Sequence, residues 1–485
     1  MYRRLIPIVI LVLSLLLVGS VFSQTAVIPD QGIKSNKTYL LSDIETIALQ
    51  SGNLMFQVPL GGVPAGRGGA TAGISLYYNS KIWYGDMVHV DEAPYGGYDS
   101  TALHPSPEGN WRYGYKYSLT WDPIVADSQT NPPVGLCRNV FISPDGTRHP
   151  IYVANGTNAE IDVQGASAIS ATGVDCHAHT APAAGQTIRS FSADSTFVKV
   201  EFYTDGDSDT SNDHWIAFFP DGSRVENHPT SGVEQRIYDR NNNYVDIIET
   251  AADTELSNHK TVRIVDIFGR SSILEYGTGT GGVDQDTIHS VGFNGAALQT
   301  TVRWKNIRVN HTFQKVWWTL STLDETLRVV DTIHLPSASA YDPYYEFNYN
   351  ADNTSAADNG WGEVNSARIP SGATATYEYT NNGTNGISAE EVMDNRVSQK
   401  QLAYALEYDG SSSSTTETWT YSHHHTGALP YWSAVTSPDG ATVTEYYGRP
   451  LTEFGMALSP ENVKTVSSDG GMSERYYATN SPGGR

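Results

Sequence analysis

The densest run of chemically useful side chains is "TDGDSDTSNDH" (Thr204 to His214), where Asp205, Asp207, Asp209 and Asp213 take positions one, three, five and nine of a calcium loop. Alternate carboxylates on a tight turn can surround a hard divalent cation with oxygen. Thr210 replaces the glycine such a loop uses, and Ile216 stands where a bidentate glutamate belongs, so an EF-hand is excluded. Two readings stay open: a looser surface calcium site, the one cofactor the sequence suggests, or an acidic solvated hairpin loop. "VDCHAHT" (Val174 to Thr180) gathers Cys176, His177 and His179, but no paired motif nearby completes a zinc or copper site. The adjacent histidines of "SHHHTG" (Ser422 to Gly427) alternate faces on a strand and cannot all reach one ion. Cys137 and Cys176 are the only cysteines. In an oxidising compartment they either form one bridge or stay apart, because sequence carries no measure of their separation.

Catalytic spacings are missing. No G-x-S-x-G elbow, H-E-x-x-H pair or G-x-x-x-x-G-K-[ST] loop occurs, so no catalytic residue is assigned and the expectation is a non-enzyme. The glycine run in "GVPAGRGGATAGISLYYNS" (Gly62 to Ser80) misses the G-x-G-x-x-G spacing, and it leads into strand-like sequence instead of a helix that could offer its N-terminus to phosphate. It reads as a turn from "NLMFQVPL" into "AGISLYYNS". Carboxylates are numerous, and only their positions in space can say whether two face each other at the roughly 5 to 9.5 Å of a glycosidase pair. Trp317, Trp318 and Trp361 are either sugar-stacking platforms or packed sheet aromatics.

Strands carry these residues. "TFVKVEFYT", "HWIAFFP", "NYVDIIE", "TVRIVDIF", "SSILEYG", "TVRWKNIRVNHTF", "KVWWTLSTL", "ATATYEYT", "TETWTYS" and "TVTEYYG" are short β-branched and aromatic runs bounded by turn residues. "SPDGTR", "FPDGSR", "SPDGAT" and "SSDGGM" place Asp-Gly where the chain must reverse, with "YDRNNNY" and "VDIFGRSSILEY" as related punctuation. Proline presets the turn, Asp bonds nearby backbone and Gly takes positive φ. "DIETIALQ" (Asp43 to Gln50) is read as a turn or two of helix, and "AEEVMDNRVSQKQLAYALEY" (Ala389 to Tyr408) as strand entering a hairpin. The fold class is therefore all-β, with antiparallel hairpins forming an extended, curled sheet or partial shell.

Met1 to Arg4 is basic, Leu5 to Val18 almost wholly apolar, and small residues come next at Val21 and Ser23, the layout of a secretory signal peptide cleaved after Ser23. An uncleaved anchor is the alternative reading, although the apolar run is short for a span. Lys+Arg of 30 against Asp+Glu of 53 leaves a net charge of −23, which disfavours nucleic acid and anionic membrane as partners. The destination is thus outside the cytoplasm: secreted, cell-surface or periplasmic.

"DIFGRSSILEY", "EYYGRPLTEF" and "YDRNNNYVDI" resemble degenerate YD repeats of the bacterial RHS (rearrangement hotspot) proteins. "SGNLMFQVPLGGVPAGRGGATAGISLYYNS" (Ser51 to Ser80), with "GNWRYGYKYSLTW" and "FISPDGTRHPIYV" after it, is similar to the opening segment that precedes those repeats. No YD unit is complete, since Tyr447 stands where the aspartate would be, and no RHS core sequence is present. After the leader (1–23), the resemblance implies an opening region (24–135) and two β-rich repeat regions (136–300 and 301–485). It further implies a structural or interaction role, as part of a toxin-enclosing or cell-surface shell. The partners it implies are other YD-repeat segments or an adjacent effector, and the exposed edges of a long sheet add a second copy. A secreted glycan-binding or glycan-cleaving β-protein is the rival reading.

Overall fold

The computed structural model describes residues 44–49, 51–63, 72–92, 96–106, 109–127, 134–153, 174–175, 187–192, 196–203, 214–292, 295–316, 319–337, 342–352, 360–381, 387–408, 411–424, 431–447, 462–468 and 470–474. The proposed leader lies outside them. The protein is all-β, 67% strand against 1% helix. Its main body is one antiparallel sheet that begins at Ser118–Asp127 and, from Thr187–Ser192 to Met472–Glu474, keeps chain order strand by strand without closing. Its longest hairpin pairs Ala297–Val316 with Thr319–His334.

One turn recurs along it. At Ser143, Phe219, Asp239, Asp266, Gly292, Ile369, Ser437 and Ser467 the backbone N–H donates to the carbonyl four residues on, and the N–H three residues on donates back. The fourth residue of each has positive φ: Gly146, Gly222, Asn242, Gly269, Gly295, Gly372, Gly440 and Gly470. This is the three-residue hairpin loop with a bulge residue in the left-handed region. An Asx side chain steadies it, as when Thr147 N–H donates to Asp145 Oδ1 (2.9 Å), or Asn241 and Asn243 N–H to Asp239 Oδ1 (2.7 and 2.9 Å). In an antiparallel meander every second connection falls on the same side, so all eight line one rim. The opposite rim carries longer segments, including 350–363 and 380–396.

A smaller sheet covers one face of the large one. Its strands are Glu45–Ile47, Leu54–Gly62, Gly73–Asn79 and Asn110–Gly114, in that order. Leu54–Gly62 and Gly73–Asn79 pair antiparallel, so the glycine-rich segment joins the two strands of a hairpin. Strict alternation puts Leu54, Phe56, Val58, Leu60, Ile74, Leu76 and Tyr78 inward, against Val262, Ile264, Leu274, Ile288, Val302 and Phe347 of the large sheet. Phe56 is the hub, ringed by Tyr78, Trp111, Phe347 and Tyr377 with centroids 5.3 to 6.1 Å away. Polar tips are satisfied across the interface: Trp111 Nε1 donates to Tyr349 Oη (2.7 Å), Tyr113 Oη to Asp286 (2.9 Å) and Thr300 Oγ1 to the Leu60 carbonyl (3.1 Å). A second cluster around Phe141, Val200, Trp215 and Val225 touches the first through Ile237. The register explains the junction, because Val200, Ala217, Val225, Ile237 and Val245 are successive cross-strand partners in one row.

Two local expectations are corrected. The segment "DIETIALQ" forms strand, not helix, at Glu45–Ile47, because pairing with Leu54–Phe56 and burial of all three residues outweigh a weak local helix preference. Ala389–Met393 is a short helix instead of strand. Ser388 and Glu391 form a capping box there, with Glu391 N–H donating to Ser388 Oγ (3.2 Å) and Ser388 N–H to Glu391 Oε2 (2.8 Å). The strand begins only at Val397 and enters the expected hairpin with Ser411–His424.

Candidate functional site

Asp205, Asp207, Asp209 and Asp213 lie outside the described residues, in the segment joining the paired strands Lys199–Tyr203 and His214–Phe218. Cys137 sits in the strand Val134–Ile142 with Val174 as its backbone partner, while Cys176, His177 and His179 are outside the described residues. Among the described residues no three His, Cys, Asp or Glu side chains converge as a metal site. "DRNNNY" is the turn expected of it. His423 and His424 behave as neighbours on opposite faces of a strand: His423 contacts the Val397 carbonyl (3.2 Å) and Ser433 Oγ (3.1 Å), and His424 stacks on Trp432.

Aromatic platforms fare similarly. Trp317 and Trp318 lie outside the described residues, and Trp361 is fully buried, stacked on His311 at 4.3 Å. Outside the core, Tyr238, Tyr244 and Tyr344 each carry an arginine on one ring face, Arg224, Arg236 and Arg368 at 3.8, 4.1 and 4.6 Å. Those faces are already occupied by cations.

One carboxylate pair does face a surface cleft. Glu234 and Glu249 line it with His228, Thr230, Ser231 and Gly232. Both accept from Lys116 Nζ, at 2.8 and 2.7 Å. Two carboxylates sharing one ammonium stand no further apart than the roughly 5 to 5.5 Å of a retaining glycosidase pair. Burial would lower the Lys116 pKa, but its hydrogen bonds to Glu234 and Glu249 outweigh that and leave it raised. The ammonium therefore persists and fills the gap where a glycosidic oxygen would sit.

A largely buried polar cluster lies on the rim of long connections, where three segments meet. Lys81 comes just after the strand Gly73–Asn79 and sends Nζ to the Asn395 backbone carbonyl (2.7 Å), 314 positions away. Asn395 lies just beyond the short helix, its N–H donating to the Val392 carbonyl. Its side-chain Nδ2 donates to Glu363 Oε1 (2.6 Å), and its Oδ1 accepts from Asn381 N–H (2.9 Å) and Thr380 Oγ1 (3.2 Å). Glu363 Oε2 accepts from Asn350 Nδ2 (2.8 Å), whose Oδ1 takes the Gly362 N–H. Gly360 and Gly362 have φ of 118° and 93°, and a Cβ at Gly360 would collide with Asn350, so glycine at both positions permits this path. Glu363 and Asn395 are 2% and 3% exposed, and fully or nearly buried Tyr78, Trp83, Trp361 and Tyr379 belong to the same region.

Burial sets the electrostatics. Desolvation raises the Glu363 pKa even though Asn350, Asn395 and Lys81 pull it down. Desolvation draws Lys81 down to about 8 against the attraction of Asp394 and Glu363. His423 is drawn down to about 4, first by burial. No local motif announces this cluster; the helix-capping "SAEE" (Ser388 to Glu391) and the glycines around Trp361 are its nearest sequence signals. Neither a family model nor a curated protein sequence matches the chain.

Proposed function

We propose that this is an exported, non-enzymatic structural or interaction protein, built like the N-terminal part of an RHS/YD-repeat shell and working by presenting a long sheet. The observation that carries the reading is the open meander of consecutive hairpins with one turn type repeated along one rim. The small N-terminal sheet already fills the apolar face of the strands between Val245 and Val435, which favours presentation over enclosure for this stretch. An open sheet leaves backbone donors and acceptors at its edges, and pairing with another strand satisfies them. The partners proposed are further repeat segments, an adjacent effector or a second copy.

Expression of the full chain with its leader, then fractionation and N-terminal sequencing, should find it outside the cytoplasm and beginning at Gln24, and sedimentation should show self-association or a bound partner. A cytoplasmic chain with its leader intact that sediments only as a compact monomer overturns the reading. The cleft at Glu234 and Glu249 is where a rival reading, a glycan-binding or glycan-cleaving protein, would have to act. Turnover of a polysaccharide panel that disappears in Glu249→Gln would decide for that rival.

A further inference from the structure

We propose that Lys81 and Asn395 become joined by an intramolecular isopeptide bond, formed once by the folded protein with Glu363 as its catalytic acid–base. Amide exchange of this kind needs a neutral amine, a polarised carboxamide, a proton donor at the leaving nitrogen and exclusion of water, and each is present in this cluster. The amine is Lys81 Nζ, already 2.7 Å from the backbone oxygen of the residue it must attack. Rotation about its flexible stem carries it from that oxygen toward Cγ of the same residue. With its pKa near 8, roughly a tenth of the amine is unprotonated at pH 7.

The carboxamide is held from both ends. Asn381 N–H and Thr380 Oγ1 donate to Oδ1, where negative charge develops as the carbon turns tetrahedral. Nδ2, the leaving nitrogen, touches Glu363. Burial raises the Glu363 pKa above that of an ordinary glutamate, which favours the protonated carboxyl this step requires. In the reaction the Nζ–Cγ bond forms and the Cγ–Nδ2 bond breaks. Glu363 passes its proton to Nδ2 and takes one from Nζ, and ammonia leaves. Atoms and charge balance with no oxidant, cofactor or co-reactant. Confining the amine and the carboxamide to one site supplies an effective concentration an ordinary amide and amine lack in water. Asn350 is a positioning residue, bonded to the far oxygen of Glu363. The product staples the small N-terminal sheet to the large one across 314 positions of chain.

The test is peptide mass spectrometry of the purified full chain. Expected is a branched peptide uniting Lys81 and Asn395, lighter than its two parts by one ammonia, with tryptic cleavage after Lys81 lost. Glu363→Gln, nearly the same shape, should retain the wild-type circular dichroism and elution volume yet give the two peptides unlinked, as should Lys81→Arg. Separate peptides from folded wild-type protein overturn the proposal, and that measurement needs no variant to fold. A link that forms equally in Glu363→Gln overturns the role given to Glu363.

Discussion

Glu45 and Lys400 form an ion pair at 2.7 Å in which both side chains are fully enclosed. The pair ties the first strand of the small sheet to the strand Val397–Tyr408 of the large one, and Trp419 lies 5.0 Å from the ammonium. Burial lowers the Lys400 pKa, with Glu45 opposing. Lys400→Met removes one charge and leaves the buried Glu45 carboxylate without its cation, a change that costs about 3 to 5 kcal/mol. Glu45→Leu combined with Lys400→Met removes both charges and should fall close to wild type, since desolvating two ions offsets most of what their attraction returns. Native-state hydrogen exchange reads the difference locally. Amides of Leu54–Gly62, which pairs with Glu45–Ile47, should exchange faster by roughly two to four orders of magnitude in Lys400→Met and near the wild-type rate in the double variant. Unchanged exchange in Lys400→Met, or a double variant worse than both singles, refutes the idea that the two sheets are held together here.

Gly269 sits at φ 76° with open space where a Cβ would go, so Gly269→Ala should cost about 1 to 2 kcal/mol from backbone strain alone. Gly269→Asn should cost less, because Asn242 already holds the same position of an equivalent turn; equal losses in thermal melts of the two variants would count against this. His423, at about 4 in the folded chain against an ordinary 6.5, should give stability that is full above pH 6.5 and falls as the pH drops toward 4, because the unfolded chain takes up a proton the native imidazole refuses. The loss amounts to about 3 kcal/mol, and His423→Gln should flatten that limb of the acid titration monitored by circular dichroism.

Much of the fold was legible in the residues. Alternation in "NLMFQVPL" and "GISLYYN" foretells inward Leu54, Phe56, Val58, Ile74, Leu76 and Tyr78, since successive strand side chains face opposite ways. The Pro-Asp-Gly tips give turns because only their fourth position must accept positive φ. The lengths of the paired strands Ala297–Val316 and Thr319–His334 were less legible, because each sequence run shows a strand but not how far its partner extends. The divisions at 135/136 and 300/301, drawn from short motifs, fall inside the strands Val134–Ile142 and Ala297–Val316, because a motif does not carry the extent of the strand around it.

The candidate chemistry was the least legible part. The acidic loop and the Cys-His segment draw attention because their residues are adjacent in sequence. Lys81, Glu363 and Asn395 are ordinary residues in unrelated stretches, and each alone reads as a surface side chain. The strands, the turns and the inward faces follow from the residues alone, because these depend on steric preferences and periodicities spanning a few residues. That a lysine, an asparagine and a glutamate meet in a buried site follows from the assembled fold, because the desolvation that perturbs them arises from packing one sheet on another, a property no local stretch of chain contains.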